Sequence, residues 1–189
     1  MNILIACEYS GIVRDAFIAK GHKAISCDYL PSERPGPHIQ GDVYEVLGHG
    51  WDMMIGFPPC THLSVSGARW FKNKVEEQKE ALSFVEGLMT CPDIPRICLE
   101  NPVGIISTRI RKPDQIIQPW MFGEDASKKT CLWLKGLPKL TPTNIITKDR
   151  YSNQTPSGQN KLGPSPTRWK ERSRTYQGIA NAMAEQWTQ

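Results

Sequence analysis

The 189-residue sequence lacks several features that would each assign it to a particular class of protein. No Cys-x-x-Cys pair occurs among its six cysteines, and most of them lie in apolar runs, so we expect reduced thiols rather than disulfides. No apolar run is long enough to span a bilayer, and the N-terminal MNILIA is too short and uncharged for a signal peptide. Internal repeats and low-complexity tracts are also missing, which argues against a repeat architecture. These absences predict a soluble cytoplasmic protein with no membrane partner.

The residues that are present suffice for one ordinary hydrophobic core. Hydrophobic residues make up 39% of the chain and charged residues 22%, which predicts a single domain over residues 1–189. The net charge of +4 is compatible with a polyanionic partner. It does not select one, because many proteins that bind no nucleic acid are equally basic.

Predicted strands and helices alternate along the chain. The runs NILIAC, HKAISC, WDMMIGF and IPRICLE predict buried strands, and the segment from Gly11 to Lys20 predicts a helix that ends at Gly21. Between Lys74 and Thr90, apolar side chains recur on one helical face. The runs TCLWL and NIITK predict two more strands, and RTYQGIANAMAEQW predicts a closing amphipathic helix. The alternation predicts an α/β fold with a doubly wound, mostly parallel sheet.

Reactive side chains follow the predicted strands, at the sheet edge where ligands bind in open α/β folds. They are Glu8, Asp28, Asp42, Cys60 and Glu100. Asp28 is placed where a carboxylate can accept hydrogen bonds from a ribose diol, although it could equally cap the strand end. The first turn, CEYSG, lacks a G-x-G-x-x-G pattern, which disfavours an NAD-type pyrophosphate site and favours, if anything, a nucleoside ligand without phosphates.

The segment GFPPCTHLSVSG presents a cysteine directly after two prolines that stiffen the backbone. A thiolate is the nucleophilic form of cysteine, so Cys60 is a candidate nucleophile. Two other interpretations stay open: a hydrolytic pair of Cys60 with His62, which the extended spacing disfavours, and a zinc site, for which the usual ligand spacing is missing. We expect no metal.

A carboxylate and an amide follow the next apolar strand in LENPVG, where a proline again restricts the turn. Glu100 is therefore expected near Cys60. A carboxyl group held against an apolar strand end has a raised pKa, which suits an acid that donates a proton to a neutral heterocycle. The alternative is a capping Glu beside a turn Asn.

Taken in order, seven features resemble the motif series of DNA cytosine C5-methyltransferases, especially a short phage-type branch. They are ACEYSG, Asp28, GDVYEV, FPPCTHLS, ENPVG, SKKTCLWLKGLP and YQGIANAMAEQW, and they span nearly the whole chain. The resemblance implies a Rossmann-like fold that uses S-adenosylmethionine. It departs from the family at the first turn, where ACEYSG replaces the usual Phe-Ala-Gly-x-Gly-Gly.

The resemblance also implies roles for individual residues. Cys60 would add to C6 of cytosine, and Glu100 would hold the base edge and protonate N3, with Lys128 and Lys129 as approximate counterparts of a later arginine motif, Arg174 being a further candidate. The residues that would hold S-adenosylmethionine are Glu8, Tyr9, Gly11, Asp28, Asp42, Pro58, Pro59 and Asn181.

The segment 141–172 is rich in Ser, Asn, Pro, Gly and basic residues, and it stands where bacterial relatives carry a large target-recognition domain. We expect it to form a loop-rich DNA-contacting segment within the single domain, with Tyr151 available for stacking. The expected nucleic-acid-binding residues are Asn101, Lys148, Arg150, Lys161, Arg168, Trp169 and Lys170. So short a segment predicts low sequence specificity.

The substrate expected from the resemblance is double-stranded DNA with the target cytosine flipped out of the stack. Because the recognition domain is missing, single-stranded DNA or a free deoxycytidine nucleotide stays open as the substrate. A catalytically silent nucleic-acid-binding protein is a further alternative, which the presence of Cys60 together with Glu100 disfavours. Target context, oligomeric state and biological role do not follow from the sequence.

Overall fold

The computed structural model describes residues 1–64 and 74–189, and it contains one seven-stranded sheet. The strands are β1 (Asn2–Ala6), β2 (Lys23–Asp28), β3 (His38–Gln40), β4 (Met53–Gly56), β5 (Ile97–Pro102), β6 (Gln115–Ile117) and β7 (Thr130–Lys135). The helices are α1 (Ile12–Ala19), α2 (Val75–Met89), α3 (Ile106–Arg109), α4 (Arg168–Ser173) and α5 (Gln177–Gln186). None of the helices in these two ranges has the length and apolar character needed to cross a membrane.

The strand order is β3-β2-β1-β4-β5-β7-β6, and β7 alone runs against its neighbours. The predicted doubly wound, mostly parallel, Rossmann-like sheet is therefore confirmed. The chain moves outward from β1 to β3 in one direction and from β4 to β5 in the other, so the winding reverses between β1 and β4. Ligand sites in open α/β sheets lie at such a reversal, outside the carboxyl ends of the strands.

Two hydrophobic clusters cover the two faces of the sheet. Strand side chains alternate between faces, so Ile3 and Ile5 pack with α1 and α5, while Leu4 and Ala6 pack with α2. Both faces of β1 and β4 are therefore buried, which explains why these strands are continuous apolar runs rather than alternating ones.

The first turn and α1 contain two buried charged residues, Glu8 and Arg14. Gly11 precedes α1 with φ 72°, a left-handed conformation that glycine adopts without strain. Arg14, fully buried in α1, donates hydrogen bonds to Ser26, Ser32 and the carbonyl oxygens of residues 34 and 35. Arg14 thereby attaches the loop between β2 and β3 to α1. This loop contains no helix.

The structure corrects the predicted elements at the C-terminal side. The run NIITK is not a strand, because Asn144 makes only an isolated bridge with Phe122. The place beside β7 is taken by β6, a short strand that the sequence reading missed because its three residues are too few for a periodic pattern. The C-terminal helix begins at Gln177 rather than Arg174, since Arg174 has an extended backbone that separates α4 from α5.

Candidate functional site

A cleft of about 410 Å³ opens at the carboxyl ends of β1, β4 and β5. Its floor consists of the first turn, the segment 57–60 after β4 and the end of β5. Its roof consists of residues 169–176, which come from α4 and the extended link to α5. The structure therefore brings Cys60, Glu100, Lys128 and Lys129 into one cleft.

The Pro-Pro-Cys segment is held in place by Asn101. The Asn101 side chain is 1% exposed, and its Nδ2 donates a hydrogen bond of 2.7 Å to the carbonyl oxygen of Pro58. After Cys60 the chain turns, because the Cys60 carbonyl accepts from the backbone N–H groups of residues 63 and 64 at 3.0 Å. Asn101 was expected to contact nucleic acid; it lines the cleft, and its amide group positions the backbone before Cys60. Its Oδ1 is buried and has no hydrogen-bond partner within residues 1–64 and 74–189.

The electrostatic environment of Cys60 contains opposing charges. Burial raises the pKa of the Cys60 thiol, and the nearby Glu100 carboxylate raises it further. The cations of Lys128 and Arg172 act in the opposite direction and lower the Cys60 pKa. Glu100, Lys128 and Arg172 line the same cleft as Cys60, so charges of both signs act on the pKa of the thiol.

Glu100 lies within β5, and its side chain is 12% exposed. Burial raises the pKa of this carboxyl group, while Lys128 and a hydrogen bond from the Thr130 hydroxyl oppose the shift. The Lys128 Nζ is 4.0 Å from Glu100 Oε1. A carboxyl group with a raised pKa can hold a proton and donate it within the cleft, as the sequence reading expects.

The first turn binds α1 through Glu8. The Glu8 carboxylate, 5% exposed, accepts hydrogen bonds from the backbone N–H of Val13 at 2.8 Å and of Arg14 at 3.3 Å, and from the Ser10 hydroxyl at 2.9 Å. It thus caps the start of α1 in the way that a short N-cap side chain does elsewhere. Burial raises the Glu8 pKa, and these hydrogen bonds oppose that shift. Glu8 also lines the cleft, so a ligand would meet a carboxylate whose oxygens are already engaged.

A second, smaller cavity of about 80 Å³ adjoins the cleft and contains Asp28 and Asp42. The two cavities share Cys7 and Pro59 as lining residues. Asp28 accepts a hydrogen bond of 2.9 Å from the backbone N–H of Leu30, and burial raises its pKa. Asp42 accepts from the backbone N–H of Tyr44 at 3.0 Å and from the Tyr29 hydroxyl, which raises the Tyr29 pKa. Both carboxylates therefore lie beside the floor of the main cleft, at the ends of β2 and β3.

The roof is attached to the floor by Tyr9 and by Arg174. The Tyr9 hydroxyl donates to the Lys170 carbonyl at 3.1 Å and hydrogen-bonds the Ser173 hydroxyl at 2.7 Å. The Arg174 guanidinium donates to both Glu33 oxygens, at 2.7 and 2.9 Å. Tyr9 was expected to hold a cofactor, and here it joins the first turn to α4 while still lining the cleft.

Several predicted residues lie away from both cavities. Asn181 is exposed on α5, where its Oδ1 accepts from the Gln177 amide at 2.9 Å. Gly11 shapes the turn before α1 but lines neither cavity. Among the expected nucleic-acid contacts, Asn101 and Trp169 line the cleft, and Lys148, Arg150, Lys161, Arg168 and Lys170 do not. Lys148 pairs with Asp125 at 2.6 Å.

Cys7 and Arg172 are among the cleft residues that the sequence analysis did not predict. Cys7 has φ 58°, a left-handed conformation that is uncommon for a non-glycine residue, at the junction of the two cavities. Arg172 lies on the exposed face of a six-residue helix, for which no periodic pattern could be read.

The other interpretations of Cys60 find no support in the described part of the chain. No hydrogen bond joins Cys60 to His62, and His62 Nδ1 is buried without a partner among the described residues. Within residues 1–64 and 74–189, no group of three or more His, Cys, Asp or Glu side chains is placed to hold a metal ion.

A scan against protein-family models and a search of curated proteins found no match to this chain. A number of solved structures are similar to it, and two of them serve as examples. One is described as a DNA modification methyltransferase encoded within a prophage of E. coli, with 14% identity, a TM-score of 0.47, and coverage of 77% of this chain and 52% of that chain. The other is a mutant of Spodoptera frugiperda DNMT2, with 14% identity, a TM-score of 0.48, and coverage of 78% and 54%. The chain spans about half the length of each of these proteins.

Proposed function

We propose that this protein methylates C5 of cytosine in DNA, with S-adenosylmethionine as the methyl donor, Cys60 as the nucleophile and Glu100 as the acid. The observation that carries the proposal is that the thiol and the carboxyl group share one cleft, which adjoins a cavity holding Asp28 and Asp42. Cytosine C5 is a poor nucleophile until a group adds at C6, and a positioned thiol beside a protonated carboxyl supplies that addition.

The two cavities fit the proposed cofactor. They meet at Cys7 and Pro59, so a ligand can extend from one into the other. The Asp28 and Asp42 carboxylates are acceptors for a ribose diol and for an amino group, and the larger cavity leaves room for the methionine part beside Glu8 and Tyr9. The cofactor would supply an electrophilic methyl group on a sulfonium.

The reaction follows from the placement of Cys60 and Glu100. The Cys60 sulfur forms a bond to C6 while the Glu100 carboxyl transfers its proton to N3, so the ring accepts the electron pair without an isolated negative charge. C5 becomes nucleophilic and takes the methyl group, and the electron pair of the broken methyl–sulfonium bond would stay on the sulfur. Loss of the C5 proton to a base, departure of the Cys60 thiolate and return of the N3 proton to the Glu100 carboxylate then restore the aromatic ring and both protein groups.

The test is the appearance of 5-methyldeoxycytidine in DNA incubated with the protein and S-adenosylmethionine, measured by nucleoside mass spectrometry. We expect product with the wild-type protein and none with Cys60→Ser, which should still bind S-adenosylmethionine in calorimetry. DNA that contains 5-fluorocytosine should form a covalent adduct with the wild type, because fluorine cannot leave C5 as the proton does. Product formation by Cys60→Ser would refute the assignment of the nucleophile.

Double-stranded DNA with a flipped cytosine is the substrate that we propose, read with low specificity by the segment 141–172. Within this segment, one side chain that lines the cleft, Trp169, is 52% exposed and can stack on a base. Bisulfite sequencing should show methylation at many cytosines, in a context of only about one to three base pairs. Parallel assays on single-stranded DNA and deoxycytidine monophosphate separate the alternative substrates. Binding of DNA without product on any of them would indicate a catalytically silent binder.

A further inference from the structure

Four cationic side chains line the cleft that contains Cys60, and two of them are engaged by other groups. The Arg174 guanidinium is paired with both carboxylate oxygens of Glu33. The Lys128 Nζ lies 4.0 Å from Glu100 Oε1 and donates to the Arg174 carbonyl at 3.3 Å. These two cations therefore have partners within the protein.

The other two cations, Lys129 and Arg172, are not engaged. Neither side chain makes a hydrogen bond or ion pair with any residue in the ranges 1–64 and 74–189. Lys129 comes from the floor, directly before β7, and Arg172 comes from α4 in the roof. The two unpaired charges thus face one cleft from two sides.

The place of Arg172 relative to the reactive thiol follows from two observations. Arg172 lines the same cleft as Cys60, and its positive charge lowers the pKa of the thiol. The Tyr9 hydroxyl contacts the Lys170 carbonyl and the Ser173 hydroxyl, which flank Arg172 in the chain. The helix that carries Arg172 is therefore attached to the first turn rather than free in solvent.

We propose that Lys129 and Arg172 form an anion subsite for the phosphate of the nucleotide whose base reaches Cys60 and Glu100. This inference rests on the proposed function. Cys60, Glu100, Lys129 and Arg172 line the same cleft, so a nucleotide whose base lies at Cys60 and Glu100 has its phosphate in the space that the two unpaired cations face. Guanidinium binds phosphate in a bidentate manner, and an ammonium group adds a second charge-assisted hydrogen bond. A phosphodiester in DNA and the phosphate of a free deoxycytidine nucleotide share this chemistry.

The experiment compares a DNA duplex that the protein methylates at one cytosine with copies in which the phosphate 5′ or 3′ to that cytosine is an uncharged methylphosphonate. For the wild type, we expect one of the two replacements to weaken binding and single-turnover methylation by about tenfold or more, the effect of losing a charge-assisted hydrogen bond. Arg172→Gln and Lys129→Gln should bind the native duplex more weakly and show little further loss with the methylphosphonate. The matched control is Lys23→Gln, which removes one charge from an exposed residue at the amino end of β2 and should respond like the wild type.

The outcomes separate the subsite from the function. An equal methylphosphonate penalty in the wild type and in both variants would overturn the subsite, whether or not methylation occurs. If the methylphosphonate weakens binding of the wild type but not of the two variants, and no methylated product forms, the subsite is supported and the proposed function is refuted. A parallel comparison of deoxycytidine monophosphate with deoxycytidine identifies the source of the phosphate. If the wild type prefers the monophosphate, Arg172→Gln loses that preference and the DNA assay shows no such effect, the subsite binds the free nucleotide rather than DNA.

Discussion

The floor and the roof of the cleft are held by different kinds of interaction. The floor is continuous with the central sheet, and two of the side chains that anchor it are buried: Asn101 is 1% exposed and Glu8 is 5% exposed. The roof is a short helix with no buried residue, attached through the Tyr9 hydroxyl and an exposed ion pair between Arg174 and Glu33. The difference indicates that the reacting groups lie on the rigid part, whereas Arg172, one of the two residues proposed to meet the substrate phosphate, lies on a part that can separate from it at low cost.

Replacement of Glu100 in the floor should have the largest effect after loss of Cys60. Glu100→Gln keeps the shape and removes the proton that N3 requires, so we expect the single-turnover methylation rate to fall by about 10² to 10⁴, the usual contribution of a general acid. DNA affinity, measured by fluorescence anisotropy, should change little, because the proton is needed as charge develops. Equal losses in rate and affinity would place Glu100 in ground-state binding instead.

Asp28 tests the smaller cavity, which belongs to the floor side. Asp28→Ala removes a carboxylate that would accept hydrogen bonds from a ribose diol, a charge-assisted interaction typically worth about 1.5 to 3 kcal/mol. We expect S-adenosylmethionine affinity to fall correspondingly in calorimetry. Glu45→Ala, at an exposed residue of the neighbouring turn, serves as a matched control. Unchanged affinity in Asp28→Ala would place the ribose elsewhere.

Replacement of Asn101 tests how rigidly the floor holds the backbone before Cys60. Asn101→Ala leaves the Pro58 carbonyl without its buried donor, and a lost buried partner costs about 1 to 3 kcal/mol. We expect a lower free energy of unfolding in urea and a slower methyl transfer, because the Cys60 backbone loses its support. Normal transfer in a destabilised protein would show that the two prolines alone position Cys60.

Replacement of Tyr9 tests how strongly the roof is attached to the first turn. Tyr9→Phe removes the hydroxyl that contacts Lys170 and Ser173, and a single hydrogen bond contributes about 0.5 to 1.5 kcal/mol. We expect a small loss of stability, a higher KM for DNA and a nearly unchanged kcat. A large fall in kcat with unchanged KM would contradict the separation of the two regions.

The smallest expected effect is a shift in the pH dependence of Cys60, on which the two regions act in opposite directions. Glu100 raises the Cys60 pKa, so Glu100→Gln should lower it and extend thiolate reactivity to lower pH. Arg172 lowers the Cys60 pKa, so Arg172→Gln should raise it and move reactivity to higher pH. Iodoacetamide labelling of Cys60 across pH, followed by peptide mass spectrometry, measures both shifts, with Cys60→Ser as the blank. Shifts in the same direction would mean that one of these charges does not act on the thiol.

The sequence by itself determined the strands β1, β2, β4, β5 and β7 and the positions of Cys60 and Glu100 along them, whereas it missed β6 and wrongly predicted a strand at NIITK. Long apolar runs and a helical repeat are local signals, and a residue that ends a buried strand must lie at the carboxyl edge of a parallel sheet. Pro58 and Pro59 likewise predict a stiff backbone before Cys60, because the proline ring fixes φ.

Only the tertiary structure decided which side chains surround those two residues. Asn101 bonds to Pro58 across 43 positions of sequence, and Tyr9 contacts Ser173 across 164, and no local pattern encodes such pairs. The same reason explains why Asn181 lies on an exposed helix face and why Arg172 joins the cleft. The position of a short helix depends on the contacts that hold it, since six residues provide too little apolar surface to specify where it packs.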